Sequence, residues 1–229
     1  MIIDKLKKNQ LNKHFFMFKG NSGYLEGIIQ IPCRINKKKY IVIIGHPHPL
    51  KGGNMYNKIV TTIANSFNTL GIPSATFNFR GVGKSEGKYD KGYGETQDML
   101  SLVNLLKNKN KKFKFLFSGF SFGSYVAYKT ALHFKNTLLI TIAPPINHYH
   151  FDYNKNIKKI SWIIFQGNQD HIIPISTTKK FSQQFSPPIP IISFKKTGHF
   201  FHKKLIELKK ELIKHIYTKL FYKKNKTPI

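Results

Sequence analysis

The chain has 229 residues, 41% of them hydrophobic and 21% charged, which predicts one domain (1–229) large enough to bury its own core. Its single cysteine, Cys33, excludes an internal disulfide and favours a reducing compartment. No stretch approaches the roughly 18 apolar residues of a membrane span, so we expect a soluble, cytoplasmic protein. The net charge of +28 predicts weak, salt-sensitive binding to polyanions, but the lysines are dispersed and no basic-aromatic nucleic-acid motif accompanies them.

Strands alternate with helices along the rest of the chain. A hairpin is predicted at 14–19 and 24–31, and the β-branched run at 40–44 is typical of a central parallel strand. Further strands are predicted at 74–79, 113–117, 138–142, 160–165 and 189–194. Helices are predicted at 54–70 (capped by Asn54), 95–106, from the end of the 113–117 strand to about 134, 176–184 and 205–220, before a loose tail at 223–229. This alternation predicts an α/β protein with a mostly parallel sheet, helices on both faces and ligands at the carboxyl ends of the strands.

The stretch Gly119-Phe120-Ser121-Phe122-Gly123 has the pattern G-x-S-x-G between an apolar aromatic run and small residues at helical spacing. A strand that turns sharply into a helix strains the residue at the corner, and the neighbours two positions away must lack side chains. Two glycines meet that demand around Ser121. The stretch therefore predicts a nucleophile elbow that exposes the Ser121 hydroxyl and aims the N–H of Phe122 at a developing oxyanion.

A serine nucleophile needs a base within hydrogen-bond reach, and the base needs a carboxylate that orients it. Only two acids, Asp152 and Asp170, lie between Ser121 and the last histidine loop. We favour Asp170, because a strand end fixes a side chain better than the irregular stretch around Asp152 does. His199 follows a strand and a glycine and is the predicted base, whereas His202 is expected to face elsewhere. The order serine, acid, histidine is typical of a sheet with this topology.

Together these motifs resemble the α/β-hydrolase superfamily, in a compact branch near the dienelactone hydrolases and Xaa-Pro peptidase-like enzymes. The resemblance covers the chain from about Tyr40 to Phe201. It is carried by the elbow, Gly167-Asn168-Gln169-Asp170 with Ile173-Pro174, Gly198-His199, Asn78-Phe79-Arg80-Gly81-Val82-Gly83-Lys84-Ser85 and His46-Pro47-His48-Pro49. It implies an α/β-hydrolase fold with a minimal lid, for which the short irregular stretch at 148–158 is the one place available.

The resemblance also implies an oxyanion hole made by the N–H of Phe122 and a second N–H in the loop after the 40–44 strand. Many relatives carry His-Gly there. In this chain Pro47 stands in place of that glycine, and a proline has no N–H to donate. We therefore expect His48 to be the second donor and exclude Pro49, and Gly52-Gly53 allows the loop to curl over the site.

Two stretches have patterns that are also typical of other kinds of site, a phosphate-binding loop and a metal site. The loop at 78–85 ends in Gly-Lys-Ser as a phosphate-binding loop does, but Asn78 stands where the first glycine belongs, and the chain after Ser85 stays irregular. Its Arg80 is expected to brace the strand end, with Glu86 or Asp90 as ion partner. The histidine pairs 46/48 and 148/150 have the spacing of metal ligands but lack an obvious third partner. We expect neither a metal nor a cofactor.

We expect a serine hydrolase that cleaves a small ester through an acyl-enzyme intermediate, with thioesters and short peptides carrying a penultimate proline as further substrates. Its partner is then a small acyl substrate rather than a nucleic acid. Four aromatic side chains are candidates for an apolar wall beside the nucleophile: Phe120, Phe122, Phe200 and Phe201. The alternative is a hydrolase fold that has lost its chemistry and acts as a basic binding or interaction protein.

Overall fold

The computed structural model of the chain describes residues 11–151 and 159–222. Its strands are β1 (Asn12–Gly20), β2 (Gly23–Ile31), β3 (Tyr40–Gly45), β4 (Ser74–Phe77), β5 (Lys114–Phe120), β6 (Thr137–Ile142), β7 (Ile160–Gly167) and β8 (Ile191–Phe194). Its helices are α1 (Lys58–Thr69), α2 (Tyr93–Lys109), α3 (Phe122–Ala131), α4 (Ile175–Ser182) and α5 (Leu205–Leu220). The tail predicted to be loose, 223–229, lies outside the described residues.

All eight strands belong to one sheet with the order β1-β2-β4-β3-β5-β6-β7-β8. The opening hairpin pairs β1 with β2, and β2 pairs with β4, in both cases antiparallel. From β4 through β8 every neighbouring pair is parallel. The predictions of an opening hairpin and a mostly parallel sheet are therefore confirmed, and the carboxyl ends of six strands share one edge.

Two apolar layers cover the two faces of the sheet. In β3, Ile41 and Ile43 face the layer that α2, α3 and α4 pack against, whereas Val42 and Ile44 face the layer under α1 and α5. Successive strand residues point to opposite faces, so a strand covered on both sides must be apolar throughout. This is why β3 is a continuous apolar run rather than an alternating one. None of the helices within 11–151 and 159–222 has the length and apolar character that crossing a membrane requires.

The start of α1 differs from its prediction. Asn57, not Asn54, caps the helix, because its side-chain oxygen accepts the N–H of Ile59 at 2.9 Å. The Asn54 side chain instead accepts the N–H of Tyr56 within the preceding loop. Both asparagines are competent caps, so the sequence alone did not decide between two positions three residues apart.

The main ion partner of Arg80 was not predicted, although Asp90, one of the two predicted partners, also forms an ion pair with it. The guanidinium pairs with Asp98 on α2, with Nε–Oδ2 at 2.7 Å and Nη2–Oδ1 at 2.9 Å, and Nη2 donates to the carbonyl of Gly94. Asp90 is more distant, at 3.8 Å, and the Glu86 carboxylate accepts the N–H of Tyr24 instead. A buried guanidinium needs a buried, bidentate partner, and Asp98 on the inner face of α2 provides it.

Candidate active site

The turn from β5 into α3 holds Ser121 in the strained conformation that the G-x-S-x-G pattern predicts. Ser121 has φ 51° and ψ −122°, a combination that residues other than glycine rarely adopt. A Cβ at Gly119 would lie 2.2 Å from the carbonyl oxygen of Gly123, and a Cβ at Gly123 would lie 2.2 Å from that of Gly45. The strand and helix approach each other this closely only because both flanking positions lack side chains.

Hydrogen bonds hold the elbow in place from the neighbouring strand. The N–H of Ser121 donates to the carbonyl of Ile142 at the end of β6, at 2.9 Å. The hydroxyl of Ser124, one turn into α3, contacts the carbonyls of Gly119 at 2.7 Å and Ile142 at 3.1 Å. The position of the Ser121 hydroxyl is therefore fixed by backbone contacts from two strands.

A chain of two hydrogen bonds leads from Ser121 through His199 to Asp170. His199 Nε2 lies 3.1 Å from Ser121 Oγ, and His199 Nδ1 lies 2.8 Å from Asp170 Oδ2. An ionised carboxylate can only accept hydrogen bonds, so Nδ1 carries the proton and Nε2 is free to accept one from the serine hydroxyl. The structure thus brings together the three residues that the sequence singled out.

The Asp170 carboxylate is buried and held from several sides. Its Oδ1 accepts the N–H groups of Ile172 at 3.0 Å and Ile173 at 2.8 Å, and its Oδ2 accepts the side-chain amide of Gln166 at 2.8 Å as well as the imidazole. These donors fix the orientation of the carboxylate. Gln166 lies in β7, four residues before the carboxylate that it contacts.

The loop that carries His199 is fastened to the β7 end. The carbonyl of Thr197 accepts the N–H of Gln169 at 2.9 Å, and Gly167 lets that carbonyl approach, since a Cβ there would lie 2.2 Å from it. Two residues after the histidine, Phe201 is buried in the core beneath α5. The imidazole is therefore held between a strand end and a core anchor.

The His46-Pro47-His48-Pro49 loop is oriented by the first of its histidines. His46 is fully buried, and its Nε2 accepts the N–H of Phe79 at 2.9 Å, so its Nδ1 carries the proton and donates to the carbonyl of Pro47 at 2.7 Å. Burial lowers the pKa of His46 to about 3, which keeps this arrangement neutral. In a trans peptide the C=O and the next N–H point in opposite directions, so fixing the Pro47 carbonyl also fixes the N–H of His48.

The N–H groups of the two predicted oxyanion donors, Phe122 and His48, have no hydrogen-bond acceptor among residues 11–151 and 159–222. Phe122 is the first residue of α3, so its N–H has no acceptor within the helix. The N–H of His48 enters no hydrogen bond between residues that the structure describes. Both residues line the cavity that contains Ser121, as does His199.

That cavity has a volume of about 680 Å³. Phe122 and Phe200 line it, in agreement with the sequence analysis, but the prediction for Phe120 and Phe201 is wrong. Both of these are fully buried in the layer under α1 and α5, because the strand pleat and the turn after His199 direct them away from the cavity.

Two tyrosines that the sequence analysis did not single out also line the cavity. The hydroxyls of Tyr89 and Tyr149 lie 2.9 Å apart, which joins the loop after β4 to the loop after β6. Burial and the hydrogen bond with Tyr89 raise the pKa of Tyr149 above its usual value, so its hydroxyl stays protonated. Neither loop has a motif or periodicity from which this pairing could have been read.

The structure also bears on the alternatives to this site. His202 is exposed and packs on Phe200, while Asp152 lies outside the described residues. No cluster of three metal-ligating side chains occurs within 11–151 and 159–222.

In the loop that resembles a phosphate-binding loop, the Glu26 carboxylate accepts the N–H of Lys84 at 2.7 Å and the side-chain amide of Asn78 at 2.8 Å. An internal carboxylate therefore occupies donors that a phosphate would need.

Comparisons with known proteins agree with this geometry. A solved α/β serine hydrolase homologue from Coxiella burnetii is 37% identical, with 89% of this chain and 97% of that one covered and a TM-score of 0.79. An α/β serine hydrolase from Xanthomonas campestris, described as lacking a lid, is 29% identical, with 93% and 97% covered and a TM-score of 0.86. An uncharacterised protein of Rickettsia prowazekii is 31% identical over 215 residues, 88% of this chain and 87% of that one. No protein-family model matches the chain.

The chain therefore belongs to the α/β serine hydrolase family. The predicted α/β-hydrolase fold and superfamily are confirmed, with the mostly parallel sheet and two-sided helix cover already described. The finer resemblance to dienelactone hydrolases and Xaa-Pro peptidase-like enzymes stays a prediction.

Proposed function

We propose that this hydrolase cleaves small carboxylic esters through an acyl-enzyme intermediate, with Ser121 as nucleophile, His199 as general base and Asp170 as the group that orients the imidazole. The observation that carries the proposal is the continuous hydrogen-bond chain from the buried Asp170 carboxylate through His199 to the Ser121 hydroxyl. An isolated serine hydroxyl is a poor nucleophile near neutral pH, and an adjacent oriented imidazole is what activates it.

In the first half-reaction, Ser121 Oγ bonds to the acyl carbon while its proton moves to His199 Nε2. The resulting imidazolium is stabilised by Asp170, and it returns the proton to the leaving alcohol as the ester C–O bond breaks. Water then attacks the acyl-enzyme, with the same imidazole taking and returning a proton, and releases the carboxylic acid and free Ser121.

The oxyanion formed in each half-reaction is stabilised by the N–H groups of Phe122 and His48. Two observations support this assignment: neither N–H group donates to an acceptor in the part of the chain that the structure describes, and both residues line the cavity beside Ser121. One donor of this kind is typically worth about 2.7–4 kcal/mol of transition-state stabilisation. His46 contributes indirectly, because its hydrogen bond to the Pro47 carbonyl orients the peptide that presents the His48 N–H.

An ester of modest size suits a cavity of about 680 Å³. Thioesters and short peptides with a penultimate proline are alternative acyl substrates, because the same nucleophile and donors serve any of them. A binding protein that has lost its chemistry is not favoured, since nothing in such a role would retain a strained serine and a buried carboxylate aligned on one imidazole.

The test is hydrolysis of a 4-nitrophenyl ester, a matched thioester and a Xaa-Pro peptide by the wild-type chain and by Ser121→Ala. We expect the ester to be the best substrate and Ser121→Ala to lower kcat by at least about 10⁴-fold. Ser101→Ala, which removes a hydroxyl from the outer face of α2, is the control and should leave turnover unchanged. Equal turnover by wild type and Ser121→Ala would exclude Ser121 as the nucleophile.

A further inference from the structure

Aromatic rings are concentrated on one side of the cavity. Six of the residues that line it are phenylalanine or tyrosine, in a chain with 14% aromatic residues: Tyr89, Tyr93, Phe122, Tyr125, Tyr149 and Phe200. We call Tyr89, Phe122, Tyr125 and Tyr149 the aromatic wall, because their rings contact one another. Tyr149 is stacked on Tyr125 with centroids 4.7 Å apart, and Phe122 lies 5.6 Å from Tyr89 and 5.5 Å from Tyr149.

The aromatic wall is held rigidly although two of its members, Tyr89 and Tyr149, stand on loops; the other two, Phe122 and Tyr125, lie in α3. The hydroxyl contact between Tyr89 and Tyr149 joins two loops that are 60 residues apart in sequence, and the Tyr89 ring also packs on the His48 ring at 4.8 Å. Rings fixed by neighbouring rings and by a hydrogen bond lose little conformational entropy when a ligand binds. The wall is therefore a preformed binding surface.

The position of the wall relative to His199 decides which part of an ester it would contact. The leaving alcohol must lie beside His199 Nε2 to receive its proton. The His199 imidazole itself contacts Phe200, with ring centroids 5.2 Å apart, and Phe200 is not part of the wall. The wall instead includes Phe122 and contacts the His48 ring, at 4.8 Å from Tyr89 and 5.2 Å from Phe122, and in our proposal the N–H groups of Phe122 and His48 face the oxyanion. The acyl group, which extends away from the leaving group, would then lie against the wall.

We propose that the aromatic wall is the acyl-binding surface and that it selects flat aromatic acyl groups over saturated rings of the same size. This inference rests on the proposed function. A flat ring can stack on or meet the edge of the Tyr149 and Tyr89 rings, whereas a puckered ring of equal volume gains only apolar contact. The added ring-to-ring contact corresponds to a preference of about three- to tenfold.

The test compares the hydrolysis of 4-nitrophenyl benzoate with that of 4-nitrophenyl cyclohexanecarboxylate. The two esters have the same leaving group and acyl groups of nearly the same size. Each kcat/KM is divided by the rate of hydroxide-catalysed hydrolysis of the same ester, so that intrinsic reactivity cancels. We expect the corrected ratio to favour benzoate by about three- to tenfold in the wild type. Tyr149→Leu should bring the ratio close to one, and Tyr149→Phe, which keeps the ring, should retain it.

Controls separate this selection from folding and from catalysis. Tyr217→Leu, on the exposed side of α5, should leave the ratio unchanged, and Tyr89→Leu replaces Tyr149→Leu if the latter fails to fold. An unchanged ratio in a folded leucine variant, with turnover that still depends on Ser121, would overturn the inference and leave the proposed function intact.

The binding of the two acid products compares a flat ring with a saturated ring without requiring turnover. Benzoate and cyclohexanecarboxylate, the two acid products, are titrated into Ser121→Ala and followed by NMR. Tighter binding of benzoate that disappears in the Ser121→Ala, Tyr149→Leu double variant supports the inference. Equal affinity of the two acids overturns it, even if no ester is hydrolysed and the proposed function has failed.

Discussion

Two regions meet at the cavity and are built in different ways. Ser121, Asp170 and His199 lie at or near strand ends, and backbone groups of neighbouring strands and turns fix each of them. Tyr89 and Tyr149 stand on longer loops and are held by contacts between side chains. The difference teaches that strand ends and backbone contacts position the groups proposed for the chemistry, while contacts between side chains hold the loop residues of the surface proposed to choose the substrate. Substitutions in the two regions should therefore have separable effects.

The largest expected effect comes from Asp170→Asn. An amide in place of the carboxylate favours the wrong tautomer of His199, so kcat should fall by about 10⁴-fold while the aromatic preference of the residual activity is retained. Steady-state kinetics on the two ring esters measures both quantities. The control is Glu207→Gln, which neutralises an exposed carboxylate on α5. A fall of less than tenfold would contradict the assigned role of Asp170.

The sequence predicted the strand-end region well because its constraints are local. A glycine on either side of Ser121 and a single acid after a strand are visible without knowing any distant contact. Of the aromatic wall, Phe122 was predicted, but Tyr89 and Tyr149 were not, because their pairing depends on the paths of two loops. The ion pair of Asp98 with Arg80 was missed for a related reason. Asp98 contacts Arg80 because of the way α2 packs against the sheet, and the sequence does not show that packing.

The next largest effect is expected at the ion pair that fastens the loop carrying Tyr89. Arg80→Ala leaves the Asp98 carboxylate buried without its cation, which typically costs about 3–5 kcal/mol of the free energy of unfolding. Urea denaturation measures the loss. Lys204→Ala, which removes an exposed ion pair with Glu207, should cost at most about 1 kcal/mol. Equal losses for the two variants would mean that Arg80 does not anchor the loop.

A smaller effect is expected when alanine replaces Gly167, at the end of β7, and almost none when it replaces Gly198, the residue before His199. In Gly167→Ala the new methyl group would lie 2.2 Å from the Thr197 carbonyl oxygen, so the loop must shift, at a cost of about 1–3 kcal/mol and with loss of turnover. In Gly198→Ala the nearest atom, the Gln169 carbonyl oxygen, is 3.6 Å away, so stability should change by no more than about 0.5 kcal/mol. Thermal unfolding and ester turnover test both variants, and equal behaviour would contradict this account of the loop.

A pH dependence of stability is expected from His46. Burial lowers its pKa from 6.5 to about 3 in the folded chain, so between these values the unfolded chain binds the proton and the folded chain does not. The contribution of neutral His46 to the free energy of unfolding is therefore complete above pH 6.5 and is lost as the pH falls toward 3. Over this range the free energy of unfolding changes by at most about 1.4 kcal/mol per pH unit.

Urea denaturation at several pH values tests this dependence. His46→Gln should flatten the slope between pH 4 and 6.5, and His133→Gln, which replaces an exposed histidine, should not. A slope that is the same in wild type and His46→Gln would show that this histidine titrates normally in the folded chain.

The central claim is that Ser121 is a nucleophile activated by His199, and labelling with a fluorophosphonate probe tests it most directly. The wild-type chain and His199→Ala are treated with the probe, the adduct is located by mass spectrometry, and folding is checked by circular dichroism. The account predicts an adduct on Ser121 in the wild type and its loss in folded His199→Ala. No adduct in folded wild-type protein, or equal labelling in both proteins, would contradict it.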